Sequence, residues 1–305
     1  MASLNKTLPK KHESALRIRS FAKVNLALAV LGRRADGFHE IRNVFQSIDL
    51  NDEIEIRSSS ELRLECEGLP DVPVESNLAW KAARALVQLV SPGQGAHLIL
   101  RKKIPPGAGL GGGSSNAAAT LLGLIRFWGI RPSEADLMAL AANLGSDVPF
   151  FLHGGTALGI GRGEEIYPLP EIPKSHLLVI YPGIHVSTAE AYHSLNLTLT
   201  SRHAAHKIQR FCSRLPGDPE CLTMIFNDFE SSILPAHPAI DEAKAFLNSR
   251  GAAASLLSGS GSSVFGFFLD EESTLKASRA AHRETWRVFP AKTLSRAEYL
   301  RSLWG

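Results

Sequence analysis

The sequence predicts a globular protein of mixed α and β structure, and three patterns carry that expectation. Apolar Val24, Leu26, Leu28 and Val30 alternate with Asn25, Ala27 and Ala29, the period of a strand with unlike faces. Leu78, Ala82, Leu86 and Leu89 recur along one side of a helix. Between an alternating stretch at 96–101 and an alanine-rich segment lies a loop with Gly107, Gly109, Gly111, Gly112 and Gly113. At 305 residues the chain suits one large domain or two moderate ones, and needs no disulfide or metal to hold its core.

Charge and cysteine usage narrow the setting. A net charge of +3 is too small for a nucleic-acid footprint, which needs clustered basic surface. Cys66, Cys212 and Cys221 are odd in number and lack metal spacing, which favours reduced thiols in the cytoplasm. No apolar run reaches membrane-spanning length, and the polar Met1–Ser14 lacks the apolar centre of a secretion signal. The expectation is a cytoplasmic protein with no membrane or nucleic-acid partner. The glycosylation sequons at Asn5 and Asn196 are then without a role.

The elements follow in order. After a ragged start, Ile18–Leu31 reads as a strand that puts Lys23 and Asn25 on one face. A lysine there either meets an anion or reaches solvent from a strand edge. Gly32 to Glu40 is a polar loop turning at Asp36-Gly37, followed by Phe38 and His39. That pair can hold a flat ring or simply pack. Strand pieces are expected at Glu53–Arg57 and Glu61–Glu67, and Ser76 is expected to cap a helix stopped by Pro92-Gly93. Ser133 and Asp136 are set as a capping box for a helix that ends at Gly145. Asp147 then caps a short helix or serves as a catalytic carboxylate. His176–Tyr181 is a buried strand, Thr188–Leu195 a helix carrying Tyr192, and 197–220 a polar, irregular surface insert. Helices are expected from Asn227 and over Ile240–Ser249, and Leu257–Ser263 is a second small-residue loop between apolar runs. It either joins two strands or closes over a substrate phosphate.

The first glycine loop carries the most chemistry. Glycines leave backbone N–H groups uncovered, and the helix that follows adds unpaired donors and a partial positive charge. The loop therefore reads as a phosphate cradle, against the alternative of a flexible linker. It is not a Walker A loop, because no lysine follows Gly113, and no His-Arg-Asp or Asp-Phe-Gly of a protein kinase occurs. A dinucleotide fingerprint can be laid on Gly107, Gly109 and Gly112, but no acidic residue stands at ribose distance. Lys102 and Lys103, just before the loop, either meet phosphate or are exposed flanks.

The run Pro106-Gly107-Ala108-Gly109-Leu110-Gly111-Gly112-Gly113-Ser114-Ser115 resembles the ATP-binding signature of the GHMP kinases, a family of small-molecule kinases. Ala22 to Leu26, Gly32 to His39 and Gly145 to Pro149 extend the likeness toward members that phosphorylate a cytidine diphosphate-linked alcohol of the non-mevalonate isoprenoid route. It is strong from Phe21 to about Gly163, returns at Leu257 to Ser263, and is faint between Thr198 and Glu220.

The resemblance implies an α+β two-lobe fold. The N-terminal lobe would be of ribosomal protein S5 domain 2-like type and the C-terminal lobe an α/β sandwich. The boundary is placed near residue 160, dividing 1–163 from 164–305. It further implies Lys23 and Asp147 as the catalytic pair, and Pro105, Pro106, Gly107, Ala108, Gly109, Leu110, Gly111, Gly112, Gly113, Ser114 and Ser115 as the ATP-phosphate loop. Asn25, Phe38, His39, Tyr192, Gly259, Ser260 and Gly261 would contact the cytidine-bearing substrate. The family usually has tyrosine where Phe38 stands, which keeps the stacking and drops a hydroxyl. ATP would bring Mg2+ with it, the sequence offering no dedicated metal cage. Homoserine- or mevalonate-type kinase activity, or nucleotide binding without transfer, remain open alternatives.

Overall fold

A computed structural model describes residues 15–68, 73–90, 95–195, 197–215 and 218–304. The expected ragged start, the Pro92-Gly93 stop and Asn196 lie outside the described residues. Two sheets organise the chain. The first is built on two 19-residue antiparallel strands, β1 (Ala15–Arg33) and β2 (His39–Arg57). They are followed by β3 (Leu62–Glu67), β4 (Ala96–Arg101), β5 (Thr156–Ile160) and β6 (Glu165–Pro168). The second sheet begins at β7 (His176–Tyr181), while a two-residue strand, β8 (Phe226–Asn227), returns to the first sheet beside β1. Strands β9 (Ala254–Leu257), β10 (Val264–Phe268) and β11 (Arg287–Lys292) complete the second sheet in the order β11-β7-β10-β9. The first has the order β3-β4-β2-β1-β8, with β5 pairing β2 and β6.

Helices α1 (Leu78–Val90), α2 (Gly112–Trp128), α3 (Glu134–Leu144) and α4 (Val148–His153) accompany the first sheet. Ala82, Ala83 and Leu86 of α1 and Leu121 and Leu124 of α2 share one buried cluster with Ile54, Ile56 and Leu98 of the sheet. Small residues let α2 approach closely: a Cβ on Gly123 would stand 2.6 Å from the Ile56 side chain. Ser133 accepts from the Asp136 amide, one half of the expected capping box, while the Asp136 carboxylate accepts from the Ser133 hydroxyl, and Gly145 ends α3 as expected. Helices α5 (Thr188–Ser194), α6 (Leu197–Arg214), α7 (Glu230–Ala236), α8 (Pro238–Ser249), α9 (Glu271–Arg279) and α10 (Arg296–Ser302) follow.

Some expectations differ from the fold. The strand piece at Glu53–Arg57 is only the end of β2, whose earlier half mixes polar Asn43, Gln46 and Ser47 into the buried pattern and hides the alternation. Ser76 closes a 3-10 turn (Val74–Ser76), and the side chain of Asn77 instead accepts from the Ala79 amide at 2.9 Å. The stretch expected to be irregular holds α6. Its Ile208 and Phe211, with Leu215 just past its end, fall at helical spacing and are buried against β1 residues such as Ala27 and Ala29.

Candidate active site

Both glycine loops meet on the same side of β1. The Lys23 amide donates to the Leu110 carbonyl at 3.0 Å, which ties the strand to the first loop. In the second loop, which turns β9 into β10, the Ser258 hydroxyl donates to the Gly109 carbonyl at 2.9 Å. The Ser263 amide donates to the Ala108 carbonyl at 3.1 Å. Gly109 has φ +76°, and a Cβ there would stand 2.0 Å from the Ser258 carbonyl oxygen. Only glycine allows both that backbone and that contact. Asn227 braces the second loop by donating to the carbonyls of Leu257 (2.8 Å) and Gly259 (2.7 Å).

Lys23 is buried, as is Asn25, and the ammonium donates to Asn25 Oδ1 at 2.7 Å. Asn25 in turn donates to Asn43 Oδ1 at 2.8 Å, so three polar side chains of the β1–β2 ribbon share one buried chain of hydrogen bonds. Lys23 Nζ lies 3.6 Å from Asp147 Oδ2, with side-chain exposures of 4% and 31%. Asp147 occupies the N-cap position of α4 but makes no side-chain capping bond. Its carboxylate faces the lysine and the cavity instead. Burial holds the Lys23 ammonium below the usual lysine range, while Asp147 pulls in the opposite direction.

These groups line one cavity of about 710 Å³. Its walls include Lys23, Asn25 and Asp147, then Gly107, Gly109 and Gly111 of the first loop, and Gly259, Ser260 and Gly261 of the second. Phe38, His39 and Tyr192 line it as well. The hairpin that carries Phe38 and His39 is pinned by Arg34, which pairs with Asp36 (3.1 Å) and Glu40 (2.7 Å), and by Asp36 accepting from the Phe38 amide at 3.1 Å, while Tyr192 comes from α5. Burial moves the His39 ring below its ordinary 6.5, helped by the charges of Arg33 and His193, which favours the neutral imidazole. Burial first, and the charge of Asp147 second, push the Tyr192 phenol up to about 12.

The rest of the first loop supports rather than lines this space. Pro105, Ala108, Leu110, Gly112 and Ser115 are buried, Ser114 is half-buried, and Pro106 and Gly113 are exposed. Lys102, read from sequence as a possible phosphate ligand, pairs instead with the buried Asp52. Asn43, Ser146, Arg33, Arg162 and His185 line the cavity without having been singled out. Asn43 had no legible signal, since it sits in the half of β2 that did not read as strand. Arg162 lies between Gly161 and Gly163, where the sequence points to a lobe boundary rather than to a site.

Two sheets of mixed α+β topology, two interlocked glycine loops, and a lysine–carboxylate pair facing them define a small-molecule kinase. Residues 77–155 match the family model for the GHMP kinases N terminal domain, and residues 219–288 match that for the GHMP kinases C terminal. The chain is 42% identical over 286 residues to 4-diphosphocytidyl-2-C-methyl-D-erythritol kinase of Pelobacter propionicus, covering 92% of this chain and 99% of the relative. It is 41% identical to the enzyme of that name from Geobacter sulfurreducens, with the same coverage of both chains. A crystal structure of 4-(cytidine 5'-diphospho)-2C-methyl-D-erythritol kinase superposes with a TM-score of 0.76 at 33% identity, over 91% of this chain and 99% of that one. Homoserine kinase from Cytophaga hutchinsonii, at 20% identity and a TM-score of 0.75, shares the fold. The chain therefore belongs to the 4-diphosphocytidyl-2-C-methyl-D-erythritol kinase family within the GHMP kinases. Kinase membership makes ATP the co-substrate of a small-molecule acceptor. Among the described residues, no helix is long and apolar enough to cross a membrane.

Proposed function

We propose that the protein transfers the γ-phosphoryl group of ATP to the 2-hydroxyl of 4-diphosphocytidyl-2-C-methyl-D-erythritol, giving the 2-phosphate and ADP. The observation that carries this reading is the 3.6 Å approach of Lys23 Nζ to Asp147 Oδ2 in a cavity also walled by both glycine loops and by Phe38, His39 and Tyr192. Phosphoryl transfer asks a protein mainly for positioning and charge stabilisation. Asp147 takes the proton of the attacking hydroxyl as its oxygen bonds to phosphorus, and the bond to the leaving ADP oxygen breaks. Lys23 orients that carboxylate and attracts the transferring phosphoryl group. The backbone N–H groups of residues 105–115 cradle the ATP phosphates, beside the positive end of α2.

The cytidine end of the substrate falls to Phe38, His39 and Tyr192. A neutral imidazole offers one donor and one acceptor to a cytosine edge, and the aromatic rings offer stacking faces. Asn25 and the second loop, Gly259 to Gly261, hold the alcohol and diphosphate side. Mg2+ enters this reading with ATP as part of the nucleotide substrate. Such an ion usually keeps phosphate and water ligands and needs few from the protein. The same reading places the enzyme in the cytoplasm, free of nucleic acid, while its lobe division near residue 163 falls in the turn between β5 and β6, which pair within the first sheet.

A coupled ADP-release assay over a small panel of alcohols tests this reading. Turnover with the cytidine-linked alcohol, and none with homoserine or mevalonate, is the expected result. Turnover with either of the latter alone refutes it.

A further inference from the structure

The phosphate loop stands on two feet, residues 103–104 before it and 115–116 after it, and one buried side chain reaches both. Asp52 is fully buried on β2. Its Oδ1 accepts from the amides of Lys103 (2.6 Å) and Ile104 (2.8 Å), which follow the last residue of β4. Its Oδ2 accepts from Asn116 Nδ2 at 2.9 Å and pairs with the Lys102 ammonium. Lys102 closes the ring by donating to Asn116 Oδ1 at 2.9 Å. Asn116 Nδ2 also donates to Ser20 Oγ, and Ser20 Oγ donates to Ser115 Oγ, each at 2.8 Å.

The backbone is shaped for this contact. Phe21 pairs with Asn51 and Ala22 with Ile48, so two extra residues bulge from β2 immediately before the Asp52 segment. Bulges re-aim side chains. The first turn of α2 also rests on the leading foot: a Cβ on Gly112 would stand 2.8 Å from the Ile104 side chain and 3.3 Å from Lys102 Nζ.

We propose that Asp52, neutralised by Lys102, is a positioning residue for ATP that clamps both feet of the phosphate loop and fixes the direction of its N–H groups before nucleotide arrives. This rests on the reading of residues 105–115 as the ATP-phosphate loop and adds to it a residue that touches neither substrate. A buried ion pair contributes little net stability but breaks badly when one partner is removed. A fixed cradle avoids the ordering entropy that a loose loop loses on binding.

The test compares KM for ATP, KM for the alcohol and melting temperature in the wild type and Asp52→Asn. Leu247→Ala, a fully buried α8 position remote from the loop, serves as a control for destabilisation alone. Asp52→Asn is expected to raise KM for ATP at least ten-fold and leave KM for the alcohol within two-fold. Leu247→Ala lowers the melting temperature and moves neither constant. Lys102→Met is the second variant, expected to give the same split should Asp52→Asn not fold. The clamp is refuted when the variants lower the melting temperature but leave KM for ATP within two-fold, or shift both constants equally. A wild type that binds no ATP by calorimetry overturns the functional reading itself, and the clamp with it.

Discussion

His39 and Tyr192 lie face to face, with ring centroids 4.4 Å apart and planes 9° from parallel. Two rings in direct contact leave no gap for a third. Phe38, the next residue along the hairpin, is 53% exposed, and the Arg162 guanidinium sits 4.9 Å from its ring centroid. A cytosine ring must therefore stack on Phe38, or displace His39 from Tyr192. Where the cytosine stacks on Phe38, Phe38→Ala should remove about 1–3 kcal/mol of stacking and raise KM for the cytidine substrate roughly five- to hundred-fold. Where it displaces His39, Tyr192→Ala should do so instead. KM for ATP should stay within two-fold in steady-state assays. A change confined to ATP would mean that the two ends of the cavity have been assigned in reverse.

The contact between the glycine loops sets a second expectation. Gly109→Ala places a Cβ 2.0 Å from the Ser258 carbonyl oxygen and forces an L side chain to φ +76°. The backbone conformation alone costs about 1–2 kcal/mol, before the loops are pushed apart. Nucleotide binding by calorimetry should weaken at least ten-fold, with a lowered melting temperature. Gly129→Ala, with φ +65° but nothing within 4 Å, should share the backbone strain and leave nucleotide binding intact.

A third expectation concerns pH. Burial lowers the Lys23 pKa from its ordinary 10.5, so its ammonium is lost earlier on the alkaline side than an exposed lysine would be. Because the charged form attracts the phosphoryl group, kcat should fall as pH rises through that lowered value. Lys23→Arg keeps its charge across this range. Its kcat should be lower throughout, with the alkaline fall moved to higher pH or abolished. An unmoved fall in the arginine variant would assign the limb to another group.

Much of the site was legible because its chemistry is local in sequence. The glycine run at 107–113 names a phosphate cradle through backbone freedom, and period two on β1 sets Lys23 and Asn25 on one face, where they hydrogen-bond at 2.7 Å. Asp147 was ambiguous in sequence because aspartate at a helix start usually caps. Its side chain makes no capping bond, a fact that only the fold supplies and that supports the proposed catalytic reading. Asn43, Asp52 and Asn227 were illegible for another reason. Each acts through a partner far along the chain, as Asn227 does on the carbonyls of Leu257 and Gly259, and no local pattern encodes such a contact. Helix α6 is hard to read although Ile208 and Phe211 keep the helical period, because the polar residues around them outweigh it.

The most direct test of the account is phosphorus NMR of the reaction of the purified protein with ATP and 4-diphosphocytidyl-2-C-methyl-D-erythritol, run beside Asp147→Asn. The wild type should yield ADP and a new phosphate monoester on the 2-hydroxyl. The variant, still binding ATP, should be slower by about 10²–10⁴-fold, the span expected for loss of a general base. A monoester at another hydroxyl, or an Asp147→Asn enzyme as fast as the wild type, would contradict the assignment of this cavity.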